Sequence, residues 1–160
     1  MTDGVTKRYE LTATRAVILD IVTSNITDPL TGQEARTTTD HWFLDGFPNS
    51  ADLGKPPPGG WRFPFVEIPF SDFDAENKTV DGSKQSVIHT IAIECHSRTR
   101  LQANQLAEEI RNILYVTGQS ELRKAALQGP VEDRVSSDVD FIGGNKYYTK
   151  IIEYDFKRFD

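Results

Sequence analysis

The chain has 160 residues, about one domain's length, of which 38% are hydrophobic, 10% aromatic and 26% charged. No apolar run approaches the roughly 20 residues needed to cross a bilayer. A net charge of -6 argues against a surface that grips phosphate backbones, which needs clustered Lys and Arg. The start, MTDGVTKRYELTATRA, has no basic stretch followed by an apolar one and does not read as a secretory signal. Cys95 is the single cysteine, so no internal disulfide forms, which fits assembly in a reducing cytoplasm. On that route the sequons at Asn25 and Asn77 are chance matches.

Residues 10–26, ELTATRAVILDIVTSNI, place Leu11, Val17, Ile18, Ile21, Val22 and Ile26 at helical spacing and predict a first helix with one apolar face. Asp28-Pro29 is expected to end it, because the residue before proline is pushed out of the α region. From 27 to 62 no period is sustained. HWFLDGFPNSADLG and KPPPGGW form a long irregular insertion of the kind that is either functional or ordered by a partner.

FPFVEIPF, residues 63–70, is aromatic and β-branched, but Pro64 and Pro69 cannot donate ladder hydrogen bonds. It is expected to be an edge strand or a strand bounded by its prolines. SDFDAENKTVDGSKQ reads as a polar loop with a turn at Asp81-Gly82. SVIHTIAIECHS, 86–97, follows as a long strand. Val87, His89, Ile91, Ile93 and Cys95 lie on its more apolar face, and Ile88, Thr90, Ala92, Glu94 and His96 on the other. Thr99 and Gln102 are spaced for a capping box, opening a helix whose stripe is Ala103, Leu106, Ala107, Ile110, Ile113 and Leu114, with Gly118 as its stop. A short third helix is expected from Ser120 to the Gly129-Pro130 pair. Strands over 131–142 and 146–158 flank Gly143-Gly144-Asn145 and predict a hairpin, with Tyr148, Ile152, Tyr154 and Phe156 sharing a face with Lys150 and Arg158. The sum is one α+β domain over 1–160: a mostly antiparallel sheet of about four strands, packed by an N-terminal and a central helix, with the long irregular insertion.

Candidate chemistry is sparse. Asp72, Asp74 and Glu76 open like a calcium loop, but Asn77 stands where the loop needs glycine and Ser83 where it needs a bidentate glutamate. These acids read as a solvated hairpin loop. His89 and Cys95 share a strand face roughly 20 Å apart at 3.3 Å per residue, too far for one ion to bridge. Glu94 and His96 share the other face and would need ligands from elsewhere, so no metal site and no cofactor are expected. Cys95 on an apolar face reads as structural rather than nucleophilic. There is no P-loop, G-x-S-x-G or H-E-x-x-H pattern, and no catalytic residue is assigned. Trp42, Phe43, Phe47, Trp61 and Phe63 either fill the core beneath the insertion or anchor a neighbouring subunit.

The order of elements from FPFVEIPF, through SVIHTIAIECHS and RLQANQLAEEIRNIL, to GGNKYYTKIIEYDFKRF resembles the tail terminator, or tail-completion, proteins of tailed viruses. The likeness covers about 100 residues and rests on element order rather than on catalytic motifs. It implies a non-enzymatic virion protein, assembled in the host cytoplasm and placed in the neck. There it would form a homo-oligomeric ring, a hexamer, that caps the tail tube protein, ends tail growth and docks the capsid connector or head-completion protein. A different neck component is the alternative, and a small cytoplasmic enzyme a more distant one. In such a ring DNA passes through the lumen without specific binding, and no membrane is involved. Asp72, Asp74, Glu76, Glu132, Asp133 and Asp138 are the acidic candidates for the channel wall.

Overall fold

A computed structural model describes residues 4–36, 42–44, 63–69, 76–80, 84–142 and 144–159. The fold is α+β. Helix α1 spans Gly4–Asn25, followed by a 3-10 turn at Gly32–Glu34. Strands β1 (Phe43–Leu44), β2 (Phe65–Glu67), β3 (Glu76–Val80) and β4 (Lys84–Ser97) come next. Helix α2 (Arg100–Asn112) continues through a π turn at Ile113–Thr117 into α3 (Gln119–Lys124), and the chain closes with β5 (Leu127–Ile142) and β6 (Asn145–Phe159).

The sheet order is β1-β2-β4-β6-β5, with β3 also paired to β4. The expected four strands make its antiparallel body. Two short strands extend it: β1 runs parallel to β2, with Phe43 opposite Val66, and β3 folds back on β4. The stretch expected as a polar loop after Phe70 is therefore strand over Glu76–Val80. Its composition has no apolar period, but ladder bonds to the first residues of β4 supply what composition does not. β2 is bounded by Pro64 and Pro69, as one of the two expectations had it. It is not an edge, because Val66 N–H donates to the Trp42 carbonyl at 2.6 Å.

Central to the sheet is the β4–β6 pair, in register from Ser86 opposite Phe159 to Ser97 opposite Tyr148. All three helices lie on one face of it. Ile91, Ile93 and Cys95 of β4, Ile152, Tyr154 and Phe156 of β6 and Val66 of β2 pack there against Ile18, Ile21 and Val22 of α1 and Leu106, Ala107 and Ile110 of α2. Buried apolar area of this kind is the main stabilising term, about 25 cal/mol per Å2. Thr14 of α1 is also fully buried. Its hydroxyl lies 2.6 Å from His89 Nδ1 and accepts from Arg158 Nη1 at 3.1 Å, so the helix is tied to the sheet by polar contacts as well as by its apolar stripe.

Several local expectations shift. α1 begins at Gly4, six residues before the expected start at residue 10. Thr99 caps α2 by accepting from Gln102 N–H at 3.2 Å, but the Gln102 side chain does not reach back to Thr99. It accepts from Ser97 Oγ at 2.6 Å, while Thr99 N–H donates to the same Ser97 oxygen. The third helix ends at Lys124, where Ala126 turns to φ +59°, and the Gly129-Pro130 pair lies inside β5 at the register shift between Gln128 and Glu132. Gly129 is needed there at φ +135°, where a Cβ would meet Val131 N at 2.8 Å.

Gly118 ends the π turn with its N–H on Ile113 O at 2.7 Å. Its φ of -89° suits any residue; what requires glycine is space, since a Cβ would stand 2.5 Å from Ile21 Cγ2 and 3.0 Å from Ile113 O. Gly118→Ala should therefore lose about 1–3 kcal/mol of stability through overpacking, and Leu106→Ala about 2–5 kcal/mol through a cavity. Urea unfolding checks both. Adding Ile21→Ala to Gly118→Ala should give a smaller loss than the two single losses combined, because the clashing methyl is gone. Full additivity would mean that Ile21 is not what excludes a side chain at Gly118.

Candidate functional site: the acidic face of the sheet

Residues opposed across antiparallel strands share a face, so the β4–β6 register sorts the polar groups as strictly as it sorts the core. Opposite the helices stand Glu67 of β2, Thr90, Glu94 and His96 of β4, Thr149, Glu153 and Asp155 of β6, and Glu132, Arg134, Asp138 and Asp140 of β5. Acids outnumber bases on this face. Among the described residues no helix packs on it.

At its β2 end, Glu67 lies directly across from Glu94, and Phe65 across from His96. Glu67 is 8% exposed and His96 4%, while Glu94 is half-buried. His96 Nε2 is 3.1 Å from Glu67 Oε1 and its Nδ1 is 2.7 Å from Thr149 Oγ1. The ring is flanked by Phe65 at 4.9 Å and Tyr147 at 6.0 Å between centroids, and Phe63 lies over Phe65 and Tyr147. Donor atoms of Glu67, Glu94 and His96 all fall within 4.8 Å of one another. Burial, followed by the charge of Glu67 and a hydrogen bond with it, pushes the Glu94 carboxyl up to about 7.

Farther along the face, Arg134 reaches across β6 and donates to both oxygens of Asp155, at 3.0 and 3.1 Å, and to Glu153 at 3.2 Å. Asp155 also accepts from Thr90 at 2.6 Å. These partners hold the guanidinium above its already high range. Tyr147 sits among acids: burial first, then Asp140, Asp138 and Glu67 raise its phenol.

The six acidic candidates separate by parity and by position. Glu132 and Asp138 lie on this face and are exposed. Asp133 turns to the helix side, where Tyr115 donates to it at 3.0 Å and Arg111 lies 3.3 Å away. Glu76 has its backbone in β3, and Asp72 and Asp74 lie outside the described residues. Of the aromatic candidates, Trp42 and Phe43 are half-buried against the core, with Arg36 stacked 5.0 Å over Trp42. Phe63 is half-buried under Arg98, and Phe47 and Trp61 lie outside the described residues. His89 is buried on the helix face with Thr14. Cys95 is buried farther along the same face, in the core, where burial, reinforced by Glu94, pushes its thiol up to about 12, the setting of an inert cysteine.

Glu67 and Thr149 were not singled out from the sequence. A signal was present in Phe65-Val66-Glu67-Ile68, where a lone acid is embedded in a run that is otherwise fully apolar. No protein-family model matches the chain, and no curated protein matches it. No helix among the described residues is long and apolar enough to cross a membrane.

Because the fold raises the Glu94 pKa above the usual carboxylate value, the native state holds more protons than the unfolded chain between about pH 4.5 and 7. The Glu94 contribution to stability is therefore greatest at acid pH and falls as pH rises through 7. Glu94→Gln, which mimics the protonated form, should gain stability over the wild type at pH 8 and differ little from it at pH 4. Urea unfolding in EDTA at both pH values checks this, and an equal difference at the two would contradict it.

Proposed function

We propose that the protein is a non-enzymatic ring subunit of a viral neck: a tail terminator that caps the tail tube, ends its growth and docks the capsid connector. The observation that carries this reading is the outer edge of β5. This strand runs 16 residues, roughly 50 Å at 3.3 Å per residue, and no other strand among the described residues pairs with its outer side. Such an edge is a template for a second chain unless it is blunted. Beside it, on the helix side of the sheet, Val131, Val135, Val139 and Phe141 are 44%, 48%, 39% and 64% exposed.

A second copy of the chain is the occupant we assign to this edge. Backbone pairing along β5 would be reinforced by burial of the four apolar side chains, on the scale of the roughly 800 Å2 per partner of a stable interface. Meeting a different surface of the neighbour makes the contact heterologous, which closes into a ring when the rotation allows. The half-buried Trp42, Phe43 and Phe63 border the other end of the sheet and supply aromatic anchors for that neighbour.

In this arrangement the acidic face turns to the lumen. Glu132 and Asp138 then line the channel, and the wall repels passing DNA rather than holding it, as narrow acidic channels do when charge is only partly screened. Asp133, engaged by Tyr115 and Arg111, takes no part.

Native mass spectrometry and light scattering at high protein concentration should find a hexamer. The pair Val135→Lys and Val139→Lys, placing charge on the edge, should shift it to monomers by weakening self-association at least tenfold while leaving the unfolding midpoint nearly unchanged at dilutions where both proteins are monomeric. Particles assembled without the protein should carry unjoined tails of abnormal length. Normal-length tails beside leaking heads would instead give it a head-completion role. A wild-type monomer under all conditions, including assembled particles, would overturn the ring.

A further inference from the structure

We propose that Glu67, Glu94 and His96 form a binding site for one divalent transition-metal ion, of which zinc is the best match. The proposal is independent of the ring reading, since all three donors belong to one subunit.

The donor set is one imidazole nitrogen and two carboxylate oxygens within 4.8 Å of one another. Two atoms bound about 2.1 Å from a tetrahedral ion stand about 3.4 Å apart, and His96 Nε2 is already 3.1 Å from Glu67 Oε1. Closing the site needs side-chain rotation of tenths of an ångström to about one ångström, with no movement of the strands. A mixed nitrogen and oxygen set favours zinc or manganese over the harder magnesium and calcium, which prefer oxygen alone. Three protein ligands leave a coordination position for water on the Glu94 side, the more exposed edge of the cluster.

The support around the donors is that of a ligand site. Thr149 Oγ1 is 2.7 Å from His96 Nδ1. With an ion on Nε2, the ring proton resides on Nδ1 and is donated to the threonine oxygen, the outer hydrogen bond that orients a metal-bound histidine. Phe65 and Tyr147 flank the ring and fix its plane. The two carboxylates face each other because β2 and β4 are in register there, and like charges held this close in a buried setting are relieved by a cation. Two further acids stand close by on the same face, Asp138 opposite Thr149 and Asp140 opposite Tyr147. With the neutral ring's one proton on Nδ1, the Nε2 lone pair is free for the ion, and any proton shared by the carboxylates leaves to solvent on binding. By joining β2 to β4, the ion would pin the short strand on which Phe63, Phe65 and the attachment of β1 depend.

The full chain, stripped with EDTA and exchanged into metal-free buffer at pH 7.5, is titrated with zinc chloride in a calorimeter, with magnesium chloride as the hard-cation comparison. One zinc per chain should bind, more tightly than magnesium, with a raised unfolding midpoint. Glu94→Gln should weaken zinc binding about 10–100-fold. This half-buried isostere leaves the fold intact, as circular dichroism would verify. If Glu67→Gln or His96→Asn does not fold, nitrogen NMR of the wild type decides: zinc should move the Nε2 resonance of His96, with the ring proton on Nδ1 in the bound form. Absence of zinc binding, unchanged affinity in Glu94→Gln, or a zinc response at His41 or His89 in place of His96 would overturn the proposal.

Discussion

Alternation along the paired β4 and β6 strands governs nearly everything else in the molecule. A strand sends successive side chains to opposite faces, and an antiparallel partner in fixed register extends each face across the sheet. Once Ile91, Ile93 and Cys95 are committed to the helices, Thr90, Glu94 and His96 have no choice but the other side. Tyr154 and Phe156 likewise oblige Glu153 and Asp155. A one-residue slip would exchange the core for the acids, so the apolar face sets the register and the register assembles the polar face.

Several polar groups buried by this arrangement find their partners across elements rather than within them. Thr14 joins α1 to both central strands through His89 and Arg158. Arg134 spans from β5 to Asp155, which Thr90 reaches from the other side. Such contacts contribute modestly as bonds, but removing one partner leaves a desolvated group behind. They therefore favour one seating of the helices and one pairing of the strands over near alternatives. The charged network also occupies the end of the acidic face away from Glu67, which keeps Arg134 with its own carboxylates.

The chain from α2 to α3 illustrates how packing modifies a local pattern. The stripe from Ala103 to Leu114 is helical at sight, and it is buried as a helix should be. Between Ile113 and Thr117 the backbone widens into a π turn, which keeps Ile113 and Leu114 inward and turns Tyr115 and Val116 outward. Gly118 then lets Ile21 of α1 approach the backbone. The need for glycine at that point arises from contact with Ile21, on a helix nearly a hundred residues earlier, so it has no local signature beyond the residue itself.

Much of the architecture was legible from the sequence because its cause is periodicity. The α2 stripe, the β4 alternation and the terminal hairpin each repeat an apolar pattern over many residues, and burial follows from the pattern wherever the partner lies. The strand at Glu76–Val80, the end of α3 at Lys124 and the place of Gly129-Pro130 within β5 were not legible, because long-range pairing decided them against local composition. The cluster on the acidic face stands between these cases. Spacing alone put Glu94 and His96 on one strand face, as a property of the backbone. Which residues would meet them was a matter of register between strands far apart in the chain, and only the tertiary structure, by pairing Glu67 with Glu94 and Thr149 with His96, decided that two isolated side chains become a site.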